Sequence, residues 1–194
     1  MSRGARDKSE RFLSHLDPVQ QALSAYCLRA LNDSNEVPDV LQSAVANAYR
    51  NFDLYAEGTN FRAWMFRYVS YEVLNRNRAA SRHRTDELGS DVVASVDGTE
   101  IPESAMSRLL EEPERVLDHV DESLAKAVLE LPETERSIFL LRAMGEFKYR
   151  EIAEILDVPV GTVMGLLSRS RDRLRRRLAE YGQTHGLLPG RDSE

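Results

Sequence analysis

Apolar residues recur at helical spacing in two segments of the first third of the chain. The first segment covers residues 19–31 and follows Asp17-Pro18, and the second covers residues 40–52 and follows Pro38. Spacings of three and four residues place side chains on one helical face, and proline is favoured in a first helical turn. The pattern predicts two amphipathic helices that pack together.

A third helix is predicted from Phe61 to about Ala80, after the glycine-containing loop 53–60. Its sequence interleaves aromatic side chains with arginines. Proteins hold single-stranded nucleic acid in this way, by stacking rings on bases and by neutralising phosphates. Because Phe61, Trp64 and Tyr68 share one helical face, we expect most of these aromatic side chains to lie in the core.

The strongest pattern lies between Tyr149 and Leu178, where two apolar helical faces are separated by a short corner at residues 157–159. The fixed φ of Pro159 suits the start of the second helix. The inward positions are Ile152, Ala153, Leu156, Val163, Leu167, Leu174 and Leu178. This is the layout of a DNA-binding helix-turn-helix, whose second helix enters the major groove. Two further helices are predicted before it, over residues 116–131 and 132–145.

The polar side of this second helix is strongly basic, with Asp172 as its one acid. Its arginines are Arg169, Arg171, Arg173, Arg175, Arg176 and Arg177. Early positions of a recognition helix face base edges, and later arginines reach phosphates. A basic amphipathic helix also occurs as a solvated face or as a partner-binding helix. The apolar corner before this helix favours the DNA-binding interpretation.

The net charge of −6 is unevenly distributed along the chain. Residues 86–122 contain twelve acids and two arginines, a balance of −10 that leaves +4 for the rest of the chain. Together with its glycines and prolines, this composition predicts a flexible acidic linker over residues 85–115. Such a linker serves as a solubilising spacer, or it lies on the arginine-rich helices and masks them.

The composition argues against several other classes of protein. No apolar run approaches the roughly 20 residues of a membrane-spanning helix, and no signal peptide follows the polar start, so we expect a cytoplasmic protein. The single Cys27 lies in an apolar helical pattern and is predicted to be a buried hydrophobic residue. The four histidines lack ligand spacing, so we expect no metal and no cofactor. Residues 1 to about 11 and the tail 182–194 are predicted to be disordered.

Two segments resemble parts of one protein family. Residues 131–178, which contain EIAEILDVPVGTV, resemble region 4 of bacterial sigma factors of the extracytoplasmic-function (ECF) type. Residues 61–67, FRAWMFR, resemble the FRAWLFR segment of region 2 in the same family. The two motifs occur in the family's order.

The resemblance implies an all-α protein of two small helical domains joined by a flexible acidic linker. Residues 12–84 would form region 2, residues 85–115 the linker and residues 116–181 region 4. Such a protein is not an enzyme. Its expected partners are the core RNA polymerase, through the beta-prime and beta subunits, promoter DNA, and an anti-sigma factor. The resemblance also suggests that the linker threads the RNA-exit path of the polymerase.

Individual functional residues follow from the resemblance. The minus-35 element would be read by Thr162, Met164, Gly165, Ser168, Arg169, Arg171, Arg175 and Arg176. In the family, the loop before the FRAW helix captures a flipped base of the minus-ten element, which implicates Tyr55, Glu57, Thr59, Asn60, Arg62 and Arg67. Polymerase docking is carried over to Asp39 and Gln42. Asp39 is equally explained as a first-turn acid favoured by the helix dipole.

The chain departs from the family pattern at several positions. Gly165 and Leu166 stand where serine and arginine are usual, which removes a possible guanine contact and predicts altered minus-35 specificity. Ser70-Tyr71 replaces a common Arg-Asn pair, and Ser43 replaces an acid of the docking motif. Lys148 stands where a serine or threonine usually caps the next helix.

Two other functions would explain part of the sequence pattern. A stand-alone helix-turn-helix regulator would bind palindromic operator DNA as a dimer, but it has no need of the FRAW segment. A metal-dependent nuclease would have to use the acids of residues 86–122, which lie in an aperiodic stretch without a rigid scaffold.

Overall fold

The computed structural model describes residues 3–87 and 122–184, and within these ranges every regular element is a helix. The α-helices are α1 (Arg3–Leu16), α2 (Gln20–Ala30), α3 (Val37–Arg50), α4 (Phe61–Glu87), α5 (Glu122–Leu129), α6 (Glu133–Ala143), α7 (Tyr149–Leu156) and α8 (Val160–Thr184). Short 3₁₀ helices cover Asp17–Val19, Ser34–Glu36 and Phe52–Leu54. The predicted all-α class is confirmed for the described residues.

Helices α1–α4 form an N-terminal unit in which α3 packs against both α2 and α4. The buried side chains are those that the helical spacing predicted. They are Leu23, Tyr26, Cys27, Ala30 and Leu31 around α2, and Val40, Ala44, Ala48 and Phe52 around α3. On α4 the rings of Phe61 and Phe66 are buried, while Trp64 and Tyr68 are partly buried against the core.

The prediction that residues 1 to about 11 are disordered is wrong for residues 3–11, which belong to α1. This helix contains few apolar residues, so no local pattern predicts it. Contacts with distant parts of the chain hold it in place. Phe12 packs edge-on against Tyr49 and Phe52, and the Ser9 hydroxyl lies 2.7 Å from that of Tyr49. Lys8 forms a 2.6 Å ion pair with Asp53.

Helices α5–α8 form a C-terminal unit, in which α8 packs across α5, α6 and α7. The turn after α6 requires glycine at position 145, because a Cβ there would lie 2.5 Å from the Phe147 ring and 2.6 Å from the Leu141 carbonyl oxygen. This turn directs the chain from α6 into the helix-turn-helix.

The two units pack directly against each other. Helix α4 contacts α6 and α7, and α2 contacts α5 and α6. The buried apolar side chains of both units form one continuous core. The sequence predicted the units but not this contact between them.

Part of the predicted organisation lies outside the described residues. Helix α4 continues to Glu87, beyond its predicted end near Ala80, and the rest of the acidic linker 85–115 is not described. The first part of the helix predicted over residues 116–131 and most of the tail 182–194 also lie outside the described ranges.

Candidate nucleic-acid and polymerase interfaces

The helix-turn-helix corner forms at the predicted residues. Asp157 ends α7 in the left-handed region with φ +53°, and the Val158 N–H donates to the Ala153 carbonyl at 3.0 Å. The Pro159 carbonyl then accepts the first N–H groups of α8, from Thr162 at 2.9 Å and from Val163 at 3.2 Å. Proline suits this position because it has no N–H that would need a partner.

The start of α7 is capped from one side only. Lys148 occupies the N-cap position, and its side chain makes no capping hydrogen bond because an ammonium group cannot accept one. The Glu151 carboxylate accepts the Lys148 N–H at 2.8 Å through Oε2. The predicted absence of a side-chain acceptor at position 148 is confirmed.

Helix α8 buries one face and exposes the other. Val163, Leu167 and Leu174 are buried as predicted, and Leu166 is partly buried against the core. The exposed side contains most of the predicted minus-35 residues: Thr162, Met164, Gly165, Ser168 and Arg169. Arg171, Arg175 and Arg176 are half-buried beside this surface. A Cβ at Gly165 would meet no atom within 4 Å, so another molecule can approach the backbone there.

Two arginines of α8 are held within the C-terminal unit. The Arg173 Nε lies 3.2 Å from the buried carboxylate of Glu135 on α6, and the Arg177 Nε lies 3.1 Å from Glu130. Neither was among the predicted minus-35 residues, although both belong to the basic pattern. These ion pairs fix α8 on α6 and on the turn that follows α5, and thereby orient its exposed face.

The predicted minus-ten loop is built around Tyr55. This side chain is 8% exposed, and its hydroxyl donates to the Thr59 carbonyl at 2.7 Å. The Thr59 hydroxyl donates to the Ala56 carbonyl at 2.7 Å, and Gly58 adopts φ +80°, which favours glycine. Asn60 caps α4, because its Oδ1 accepts the Ala63 N–H at 3.1 Å.

Helix α1 packs against this loop and braces it. Arg11 forms an ion pair with Glu57, one of the predicted minus-ten residues. His15 stacks on Phe61 with a centroid distance of 5.0 Å and meets Tyr55 edge-on at 5.7 Å. Sequence reasoning missed this brace, since the paired residues lie about 40 positions or more apart.

Three predicted minus-ten residues contact the C-terminal unit. Asn60 Nδ2 donates to Glu151 Oε1 at 3.0 Å, and Arg67 donates to the Glu154 carbonyl at 2.8 Å. Arg62 lies 3.5 Å from the Met144 carbonyl, and its guanidinium stands over the Phe147 ring at 5.2 Å.

Of the adjacent residues Ser70 and Tyr71 on α4, the first lies in the core and the second at the surface. Ser70 is fully buried, and its hydroxyl donates to the Tyr26 hydroxyl at 3.2 Å. Tyr71 is 65% exposed and lies one turn beyond Arg67 on the outer side of α4. It is the most exposed aromatic side chain of this helix among the described residues. Its outward position could have been read from the helical period relative to buried Ser70.

The predicted polymerase-docking residues lie on the outer side of α3. Asp39 and Gln42 are both exposed, and their spacing of three places them on one face, whereas Ser43 is half-buried. Asp39 also lies in the first turn of α3, where the helix dipole favours a negative charge.

Two kinds of feature are absent from the described residues. They contain no group of three or more histidine, cysteine, aspartate or glutamate side chains that could hold a metal ion. Among the same residues, no helix combines the length and the apolar character needed to cross a bilayer.

Comparison with known proteins assigns the two units to one family. Residues 16–83 match the model of Sigma-70 region 2, and residues 121–174 match that of Sigma-70, region 4. The ECF RNA polymerase sigma factor SigW of Bacillus subtilis is 27% identical over 172 residues, covering 88% of this chain and 90% of SigW. The ECF RNA polymerase sigma-E factor of Escherichia coli strain K12 is 29% identical over 143 residues, covering 73% of each chain.

A solved structure shares the fold across both units. The sigma factor RpoE from Bartonella quintana, in complex with the anti-sigma factor NepR, superimposes with a TM-score of 0.66 at 22% identity, covering 88% of this chain and 98% of RpoE. Two family regions in the expected order, together with ECF relatives matched over most of their length, identify the chain. It belongs to the sigma-70 family of RNA polymerase sigma factors, and within that family to the ECF type.

Proposed function

We propose that this chain binds core RNA polymerase and directs it to promoters through separate contacts with the minus-35 and minus-ten elements. The observation that best supports this proposal is the exposed face of α8. It presents Thr162, Gly165 and Arg169 at a helix-turn-helix of the sigma-70 type. The chain is a transcription initiation factor without enzymatic activity of its own, and the polymerase carries out the chemistry.

The minus-35 element is read by the first turns of α8, while Arg171, Arg175 and Arg176 reach the phosphates. Leu166, where the family usually has arginine, is partly buried and cannot donate a hydrogen bond. The missing bidentate contact to guanine lowers discrimination at one base pair by about 1–3 kcal/mol. Gly165 offsets part of this loss by allowing the backbone to approach the DNA closely.

The minus-ten element is held by the loop before α4 and by the start of that helix. Buried Tyr55 supports the loop from within, and Glu57 is positioned by Arg11. Thr59, Asn60, Arg62 and Arg67 provide the polar and cationic contacts to the opened strand. The exposed ring of Tyr71 adds a surface on which a base can stack.

Polymerase docking uses the outer side of α3, where Asp39 and Gln42 are exposed side by side. In this role the docking surface meets the beta-prime subunit, and the C-terminal unit meets the beta subunit. The complex of RpoE with NepR supports the expectation of an anti-sigma partner for this chain as well. Because its polymerase partner is cytoplasmic, the chain acts in the cytoplasm.

The test is transcription in vitro with purified core polymerase on a library of promoter fragments. The chain should direct initiation from a restricted set that shares minus-35 and minus-ten sequences, whereas polymerase alone should not. Specific binding of the purified chain alone to palindromic DNA, without any stimulation of polymerase, would instead indicate a stand-alone regulator.

A further inference from the structure

We propose that the start of α8 reads thymine methyl groups in the minus-35 element through an apolar strip formed by Val160 and Met164. This inference rests on the proposed function, because it takes α8 as the helix that enters the major groove of that element. It goes further by naming the chemical group that is read, and by adding Val160 to the residues that contact DNA.

The strip is an exposed apolar surface at the beginning of the helix. Val160 is 37% exposed and Met164 is 54% exposed, whereas Val163 and Leu167 are buried against the core. A spacing of four residues places the two exposed side chains next to each other on one helical face. Single apolar residues are common on protein surfaces, but packing within the chain does not explain an aligned pair on the base-facing side of a helix-turn-helix.

The same part of α8 has few groups that could read bases through hydrogen bonds. Residues 160–168, VGTVMGLLS, include the hydroxyl groups of Thr162 and Ser168 but no amide, carboxylate, guanidinium or ammonium side chain. The bidentate contacts that recognise guanine and adenine require arginine, lysine, asparagine or glutamine. The first such donor is Arg169, about two and a half turns into the helix. Reading by the first turns therefore depends mainly on apolar contact.

Thymine offers the matching apolar group. Its C5-methyl group is the apolar feature that base edges present in the major groove, and apolar side chains recognise it by contact. Such a contact removes apolar surface of both molecules from water, which is favourable. Cytosine at the same place would leave the side chain partly exposed. The strip therefore favours A·T base pairs whose methyl group points toward α8.

The backbone beside the strip allows close approach to the DNA. A Cβ at Gly161 or at Gly165 would meet no atom within 4 Å, so both glycines leave open space. At about 1.5 Å per residue, Val160 and Met164 are about 6 Å apart along the helix axis. Successive bases of one strand are about 3.4 Å apart, so the strip spans about two base-pair steps. It can contact the methyl groups of two thymines.

The charges near the strip favour DNA over an apolar protein as its partner. Arg169 is exposed on the same helix, and Arg171 and Arg175 are half-buried beside this surface. A DNA duplex offers phosphates to these cations and methyl groups to the strip. An apolar protein surface would offer nothing to the arginines.

The test removes single methyl groups from the DNA. The minus-35 element identified by initiation on the promoter library is rebuilt with deoxyuridine in place of each thymine, one position at a time on either strand. Deoxyuridine pairs like thymine and lacks only the methyl group. Loss of a contacted methyl group should weaken promoter binding by the polymerase complex about fourfold, the effect of exposing one apolar group of that size. Deoxyuridine in the spacer between the two elements is the control and should have no effect.

The variants V160A and M164A identify the residues that read the methyl groups. Each should lose the difference between thymine and deoxyuridine at one position and keep it at the other. Because both side chains are exposed, their truncation should leave the melting temperature nearly unchanged. L129A is the matched control, since it removes a 42% exposed apolar side chain from α5 and should keep both differences.

A gain of binding provides an independent readout. 5-Methylcytosine carries its methyl group at the same ring position as thymine does. When it replaces a contacted thymine, with guanine as its partner, it should support tighter binding than unmodified cytosine by about the same factor. This advantage should disappear in the variant that has lost the contact at that position.

Three results would overturn the inference. They are equal binding of thymine and deoxyuridine promoters at every minus-35 position, a minus-35 element without thymine on either strand, and a methyl effect that both alanine variants retain in full. In all three cases the unmodified chain still directs initiation, so the proposed function stands. If the chain directs initiation from no promoter of the library, the proposed function fails and the inference fails with it.

Discussion

Arg67 on α4 donates a hydrogen bond of 2.8 Å to the main-chain carbonyl of Glu154 on α7, which lies 87 residues further along the chain. This contact joins the helix proposed to hold minus-ten DNA to the first helix of the helix-turn-helix. One arginine therefore takes part both in closing the molecule and in the proposed opening of promoters.

Arg169 and Arg173 lie one turn apart on α8, yet we expect their replacement to have different effects. R169A should weaken promoter binding roughly tenfold, with little change in melting temperature, because the side chain is exposed on the face proposed to meet the minus-35 element. R173A should instead destabilise the fold by about 1–3 kcal/mol, because it leaves the buried Glu135 carboxylate unpaired. Salt-dependent binding of the polymerase complex and thermal melts would check both expectations. Equal effects on binding would contradict this division.

Leu166 occupies the position where an arginine would face the minus-35 element. L166R should raise discrimination for guanine at one base pair by about 1–3 kcal/mol. Because Leu166 packs partly against the core, a loss of stability of about 1 kcal/mol should accompany the gain. Initiation on a library randomised over the minus-35 element measures the change, with L166K, which adds a positive charge without a bidentate guanidinium, as the control. A preference identical to that of the unmodified chain would show that position 166 does not face the bases.

The exposed ring of Tyr71 is expected to help hold the opened strand. Y71A should reduce promoter opening roughly tenfold, the effect of losing a stacking contact of about 1–3 kcal/mol. Y71F should retain most of the activity, because the ring rather than the hydroxyl makes the contact. Permanganate reactivity of unpaired thymines reports the opening directly. Similar losses in both variants would point to a role for the hydroxyl instead.

Lys148 leaves α7 without a side-chain acceptor at its N-cap. K148S should raise the stability of the chain by about 1 kcal/mol, seen as a higher melting temperature, because the serine hydroxyl can accept an N–H of the first turn. K148A removes the lysine without adding an acceptor and serves as the matched control. No difference between the two variants would argue against capping at this position.

Alkaline pH should weaken the fold through two buried groups. Burial raises the pKa of Cys27 from 9.0 to about 12 and that of Tyr26 from 10.0 to about 12. Above the lower value of each pair the unfolded chain loses a proton that the folded chain keeps, so stability falls as pH rises toward 12. Below pH 9 these groups should cause no change.

Chemical denaturation over this range measures the slope for the unmodified chain, C27A and Y26F. C27A should remove the part of the loss that begins near pH 9, and Y26F the part that begins near pH 10. Identical slopes in all three proteins would show that other groups dominate.

Much of the fold could be predicted because it depends on local order in the sequence. Helical spacing of apolar residues predicted α2, α3 and the two helices of the helix-turn-helix, with the corner at Asp157 and Pro159. The lack of a side-chain cap at Lys148 followed from its chemistry, since an ammonium group has no lone pair with which to accept a hydrogen bond. The candidate residues of α8 also follow from the helical period, which separates its buried face from its exposed face.

Only the tertiary structure decided how distant segments meet. Helix α1 has few apolar residues and is held by partners such as Asp53 and Tyr49. Arg136 finds Asn32 across 104 positions, and Arg173 is directed to Glu135 rather than outward. Apart from α1, the sequence by itself determined which segments are helical and which sides are apolar, because these depend on neighbours within a few residues. It did not determine that the two units close on each other, because that depends on pairings whose partners no local pattern specifies.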